Sequence, residues 1–334
     1  MRGDRVHPVT RLAWALLAGL ALLTAPLAAQ AQPATLPKIG YLSPFSSSGS
    51  LVSIESFRGG LRELGYLDGT NVVVVPRFAN QDYDQLPALA AELVRLRVAV
   101  LVALTTPVAR VAQRATTTIP IVFIFVSDPV RTGLVTSLAR PGGNLTGQTD
   151  ITTDLVQKRL ALLKAVVPRV SRVGVLTNPD NPGTEIAWAE LKSAARHLGL
   201  ELYETDVRRG NDLEPAFAAL TKAHVDSIIV VADFVFVEHT RALARLATSH
   251  RLPLMGWSTT LPHAGALISY GADNADVQRQ AASYVAKILK GARPGDLPVE
   301  QATKFKLVIN LRTAKALGLT IPPSVLARAD DVIQ

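Results

Sequence analysis

Residues 38–44, KIGYLSP, and residues 172–179, RVGVLTNP, carry one pattern: a cation, an apolar run holding one glycine, then a hydroxyl residue and a proline. A short apolar run stopped by turn formers reads as a buried strand. Each copy is followed by a loop and a helical pattern ending in Leu-Gly, Leu64-Gly65 in the first and Leu198-Gly199 in the second. Glycine there suits the left-handed residue that closes a helix. The agreement then continues down the chain. NVVVVP (71–76) answers LELYET (200–205), VAVLVALTTP (98–107) answers VDSIIVVADF (225–234), and IPIVFIFVSDP (119–129) answers LPLMGWST (252–259).

Helical patterns lie between these runs. Leu86, Leu89, Ala90, Leu93 and Leu96 share one face early, and Leu213, Phe217 and Leu220 share one late, with Asn211 as its expected cap. Alternating strand and helix means a parallel α/β sheet covered on both faces, and the repeat means two of them. The expected fold is therefore α/β: two similar doubly wound parallel-sheet lobes joined by a multi-strand hinge. The first is expected over 37–147 and the second over 148–270, after the glycine-rich RPGGNLTG (140–147). Beyond ISYGADN (268–274), a helix, a strand and another helix exceed what either repeat needs, so the chain is expected to thread back between lobes. Part of 271–310 would complete the first lobe and part of 305–334 the second.

Composition narrows the class. The chain has 334 residues, a net charge of +8 and no cysteine, which excludes disulfides, thiolate metal sites, a catalytic thiol and a lipid-bearing cysteine. Residues 12–29 form the one long apolar stretch, preceded by Arg2, Arg5 and Arg11 and followed by Ala29-Gln30-Ala31. This reads as a secretory signal peptide over 1–31 and a soluble periplasmic protein; a membrane anchor is the rival reading, with Pro26 interrupting the run. Lysines and arginines are scattered rather than striped with aromatics, so no nucleic-acid partner is expected.

In open parallel sheets ligands bind beyond the carboxyl ends of the strands, where helix amides are unpaired. Those ends carry Ser43 with Ser46-Ser47-Ser48, Thr105-Thr106, and Ser127-Asp128 in the first half; Asn178, Asp233 and Ser258 stand at the ends in the second. Short hydroxyls and amides make a cradle for a small polar solute. Asp128 and Asp233 are the candidates to hold an ammonium, and Phe45, Phe234, Trp257 and Tyr270 are the aromatics able to stack on a ligand body. All of these types also serve as caps, turns or core. No G-x-G-x-x-G, G-x-x-x-x-G-K-S/T or G-x-S-x-G motif occurs, and His197, His224, His239, His250 and His263 lack ligand spacing, so no cofactor, metal site or catalytic residue is expected.

The chain also resembles the ABC-transporter substrate-binding proteins of the tryptophan-binding-protein-like group, which have a type I periplasmic-binding-protein fold. The stretches that carry the resemblance are FRGGLRELGYLDGTNV (57–72), LPALAAELVRL (86–96), IPIVF with SDPV, GLVTSLARPGGNLTG (133–147), VLTNPDNP (175–182) and the long LPVEQATKFKLVINLRTAKALGLTIPPSVLARADDVI (297–333). The resemblance implies an extracytoplasmic receptor that closes two lobes over a small solute and delivers it to an ABC permease in the inner membrane; an amino acid or similar small amphiphile is the expected solute class, and the two-lobe hinge is expected to close within a monomer. Thr105 and Arg131 stand where glycine is common in that group, and Trp257–Leu261 departs from its arginine- and glutamate-bearing version, so the solute is not carried over. The competing functions are a secreted two-lobed α/β enzyme such as a transferase, and a ligand-sensing partner of a membrane receptor.

Overall fold

Apolar runs too short for helices and too uniformly apolar for an exposed sheet fold as central strands with helices on both sides. The computed structural model describes residues 35–150 and 152–334; the expected signal peptide lies outside the described residues. The first half contains β1 (Lys38–Ser43), α1 (Leu51–Glu63), β2 (Val73–Phe78), α2 (Leu86–Arg95), β3 (Val100–Leu104), α3 (Thr106–Ala115), β4 (Ile121–Ser127) and β5 (Leu145–Asp150). Next come α4 (Thr152–Val166), β6 (Arg172–Thr177), α5 (Gly183–Leu198), β7 (Glu201–Asp206), α6 (Leu213–Lys222), β8 (Ser227–Val230), α7 (Phe234–Glu238), α8 (Thr240–Ser249), β9 (Leu254–Gly256), α9 (Thr260–His263) and β10 (Ile268–Ala272). The chain finishes with α10 (Asn274–Leu289), β11 (Glu300–Gln301), β12 (Phe305–Asn310), α11 (Leu311–Ala316), α12 (Pro323–Leu326) and β13 (Asp331–Ile333).

The sheets repeat one another as the sequence does. The first has the order β11-β5-β4-β3-β1-β2, all parallel, and the second β13-β12-β10-β9-β8-β6-β7, parallel from β10 to β7. Each repeat thus runs 2-1-3-4-5. Gly65 and Gly199, which follow α1 and α5, have φ of 85° and 63°, the left-handed conformation that a side chain resists. β12 is the exception to the parallel pattern: it re-enters the second lobe beside the end of β10, pairing Ala272 with Phe305, and can only run back along it, antiparallel.

Each sheet is packed on both faces. On one face of the first, Ile54, Phe57 and Leu61 of α1 meet Val277, Ala281 and Val285 of α10; on the other, Leu86, Ala90 and Leu93 of α2 and Val108, Ala109 and Ala112 of α3 close the core. The second sheet is covered by α4 and α5 on one side and by α6, α7 and α8 on the other. Each fully buried Leu, Ile or Phe contributes about 1.5–3 kcal/mol relative to exposure. Among the described residues no helix is long and apolar enough to cross a membrane.

The chain passes between the sheets after β5, after β10 and after β11. Gln148 and Thr149 pair with Glu300 and Gln301 in the first sheet, so the first passage falls later than the Gln148 start read from the sequence. A register shift in β4 between Phe123 and Val126 lets β5 stay paired as far as Asp150. The other two passages are tied together: Lys304 Nζ lies 2.6 Å from Asp276, Lys306 Nζ lies 2.8 Å from Asp273, and the Asp273 N–H donates to the Lys304 carbonyl at 2.9 Å. The N-cap position of α6 is also shifted by a residue, and its side chain makes no bond to the helix amides. Asp212, not Asn211, turns the chain before α6, accepting from the Arg208 and Arg209 N–H groups at 2.9 and 3.0 Å.

Candidate functional site

In both sheets the chain leaves the central strand (β1 or β6) for one neighbour and returns on the other side, which opens a crevice at the strand ends. The two crevices face one another, and the lobes touch there directly. Tyr83 Oη donates to Asp233 Oδ2 at 3.2 Å, and its ring meets Phe234 edge-on at 4.5 Å between centroids. The Ser46 N–H donates to Glu238 Oε1 at 2.8 Å. Arg131 approaches Glu190 at 3.6 Å, and Ser127 packs so closely on Gly183 that a Cβ there would lie 2.9 Å from its hydroxyl. Phe45 packs against the cores of both lobes.

The first-lobe rim is built from hydroxyls and strained backbone. Ser43 is fully buried, its Oγ 3.0 Å from Ser50 Oγ and accepting from the Phe45 N–H at 3.2 Å; Ser47 is exposed. Thr106 is buried and accepts the Ser127 N–H at 3.0 Å, locking the ends of β3 and β4 together. Thr105, Phe125 and Asp128 have φ of 81°, 55° and 34°, three non-glycine residues in a conformation costing of order 1–3 kcal/mol each, clustered at two adjacent strand ends. The Thr105 hydroxyl is buried without a partner and makes no capping bond to α3, so the leading amides of that helix are uncapped by it. Asp128 turns inward on its own loop, accepting the Arg131 N–H at 3.0 Å.

On the second-lobe rim the polar groups serve one another. Asp233 is 5% exposed and receives Asn178 Nδ2 at 3.0 Å, Asn181 Nδ2 at 2.9 Å, the Val235 N–H at 3.0 Å and the Tyr83 hydroxyl. Burial pushes its carboxyl above the ordinary aspartate value, and the four donors pull against that rise. Burial and the Asp233 charge raise the Tyr83 phenol, which therefore stays a donor. Tyr270 is covered rather than open: Lys158 Nζ sits 4.3 Å from its ring centroid, Phe305 packs at 5.8 Å, and its carbonyl accepts Arg159 Nε at 2.7 Å. Phe234 is buried against Tyr83, whereas Trp257 and Ser258 are partly exposed, Trp257 edge-on to Phe236 and Ser258 2.8 Å from Thr260. Between Ser127, Arg159, Gly183 and Ala232 lies a cavity of about 20 Å³, room for about one water.

The structure thus brings Phe45, Ser127, Asn178, Asp233 and Phe234 to the facing surfaces, and gives three of the expected ligand contacts partners within the protein. Asp233, Asp128 and Tyr270 were expected to offer free faces to a ligand; donors, a turn and a lysine occupy them. Tyr83, Asn181, Gly183 and Glu238 were not anticipated. Tyr83 sits in a polar loop that reads as the start of a helix, and Glu238 ends an otherwise apolar five-residue helix.

From residue 38 to residue 333 the sequence matches the family model for ABC transporter substrate binding protein. The chain belongs to that family. This substrate-binding protein is 28% identical over 265 residues to a tyrosine-binding protein of Clostridioides difficile strain R20291, across 79% of this chain and 76% of that one. It superposes with a TM-score of 0.84 on an ABC domain in complex with L-Trp from Streptococcus pneumonia, at 29% identity over 90% of this chain and all of that one. On the ligand-free, open structure of a substrate binding protein with adhesive properties from Clostridium difficile the TM-score is 0.66, at 26% identity and 90% and 100% coverage. The family is one of solute-binding proteins of ABC transporters with two α/β lobes.

Proposed function

We propose that this protein is an exported, monomeric receptor that captures an amino acid between its lobes and hands it to an inner-membrane ABC permease. The observation that carries the reading is the hydroxyl rim of the first lobe: the N-terminus of α3 has no side-chain cap, the Thr105 hydroxyl beside it is buried without a partner, and Ser127 packs on Gly183 of a second lobe already within hydrogen-bonding distance. A carboxylate suits such amides. The relatives that bind tyrosine and L-Trp support an amino-acid head group, and the better superposition on the L-Trp complex than on the open structure supports closure around it. In this reading Ser47, Thr105, Ser127, Phe45, Trp257 and Ser258 meet the solute. Ser43, Thr106, Asn178 and Asp233 hold the rims in shape, and Asp128, Phe234 and Tyr270 stand behind them. The signal peptide over 1–31 and the periplasm belong to the same reading.

The test is a thermal-shift screen of the mature protein against the twenty L-amino acids, followed by calorimetry on Asp233→Ala. An authentic ligand at a hundred times its dissociation constant stabilises the fold by about 2.7 kcal/mol. Asp233→Ala strands four donors and is expected to cost about 3 kcal/mol of stability, far more than it costs in direct ligand contact. A screen in which no amino acid raises the melting temperature refutes the reading.

A further inference from the structure

Glu238 is oddly placed within its own lobe. It is the last residue of the five-residue helix α7, whose closing carbonyls on Phe236 and Val237 are taken by the Thr240 hydroxyl, so its carboxylate has no capping role in its own helix. Its hydrogen-bond donors among the described residues all come from the opposite lobe: the Ser46 N–H at 2.8 Å to Oε1, and the Ser46 hydroxyl at 3.1 Å to each carboxylate oxygen. The receiving loop is already shaped for it. The Ser50 N–H donates to the Ser46 carbonyl at 3.0 Å, the Gly49 N–H donates to Ser46 Oγ at 3.0 Å, and Gly49 has no room for a Cβ beside the Glu238 carboxylate.

The contact also lies far from the pivot. The Ser46 loop follows β1, which is separated from β5, the first passage between lobes, by three strand spacings, roughly 14 Å. A bond at that distance resists opening with a long lever arm. We propose that Glu238 is a cross-lobe latch: its carboxylate, seated in the Ser46–Gly49 loop, holds the cleft shut and sets how often the lobes part. The latch rests on the two-lobe fold and not on which solute is bound.

The experiment needs no ligand. The chain has no cysteine, so the exposed Ala91 of the first lobe and Ala218 of the second can each be replaced by cysteine and spin-labelled, and the distance between them read by double electron resonance. Expected is a short-distance population in the otherwise native protein, and in Glu238→Ala an open-to-closed ratio raised by about tenfold, as a charge-assisted bond is lost. Glu238→Gln, which keeps one acceptor for the Ser46 N–H, falls between them. Melting temperatures close to the parent verify that each lobe is intact, and small-angle scattering of Glu238→Ala without labels gives the same ordering. A distance distribution unchanged by Glu238→Ala, whether short or long, overturns the latch.

Discussion

Replacing Thr105 by glycine should make the protein more stable and a poorer binder. Thr105 has φ 81° and ψ 160°, a region populated almost only by glycine, and its branched Cβ makes the conformation costlier still. Removing the side chain relieves about 1–3 kcal/mol of strain. It also removes a buried hydroxyl with no partner, worth about 1–3 kcal/mol. Against these stands the greater freedom of glycine in the unfolded chain, about 0.5–1 kcal/mol. The balance is a gain of about 1–5 kcal/mol, or a melting temperature higher by roughly 2–10 °C for a protein of this size. Thr105→Ala separates the two terms, since it deletes the hydroxyl and keeps the strained backbone. Differential scanning calorimetry should place the variants in the order threonine, alanine, glycine. A glycine variant no more stable than the alanine one refutes the strain argument, and a glycine variant that binds solute with unchanged affinity removes the Thr105 hydroxyl from the site.

Adjacent glycines of α1 should respond oppositely to alanine: Gly59 meets nothing within 4 Å and Gly59→Ala gains about 0.5–1 kcal/mol of helix propensity, whereas a Cβ on Gly60 would lie 2.9 Å from Arg279 Cα and Gly60→Ala loses about 1–3 kcal/mol by prying α1 from α10. Urea titration of both reads the sign. Burial pushes the Asp273 carboxyl up, but the Lys306 ammonium and the Asp276 and Ala275 N–H groups pull it further down, so it ends below the ordinary aspartate value. Its contribution to stability is therefore present above the unfolded value of about 3.9 and is lost as pH falls through the lower folded value; the stability gap between the parent and Asp273→Asn should close over that window.

The layers of this fold are legible because parallel strands buried on both faces are written as unbroken apolar runs, and because KIGYLSP and RVGVLTNP restart the count. Strand order within each half follows from the repeat and from short right-handed crossings. Long-range choices were less visible. Nothing local in Gln148 says that it pairs with Glu300, and the one-residue bulge in β4 that permits it has no sequence mark. At the site, strand ends announced themselves through Ser, Thr, Asn and Asp, but the partners of those groups did not. Asp233 reads as a free carboxylate in one dimension; its four donors come from residues 83, 178, 181 and 235. Glu238 looks like an ordinary solvated acid until the opposite lobe is in place.

The position of α10 governs when the protein can fold. Tyr41 of β1, fully buried, donates its hydroxyl to Gln278 at 3.3 Å across 237 residues of sequence, and Gly60 of α1 lies against Arg279. Until α10 has been synthesised, one face of the first sheet is covered by α1 alone, although all five of its leading strands have long since emerged. Contacts of such separation are slow to form, because loop closure is paid for before packing rewards it. The first lobe therefore cannot close its core from its own contiguous segment: that core is completed only when the last fifth of the chain arrives.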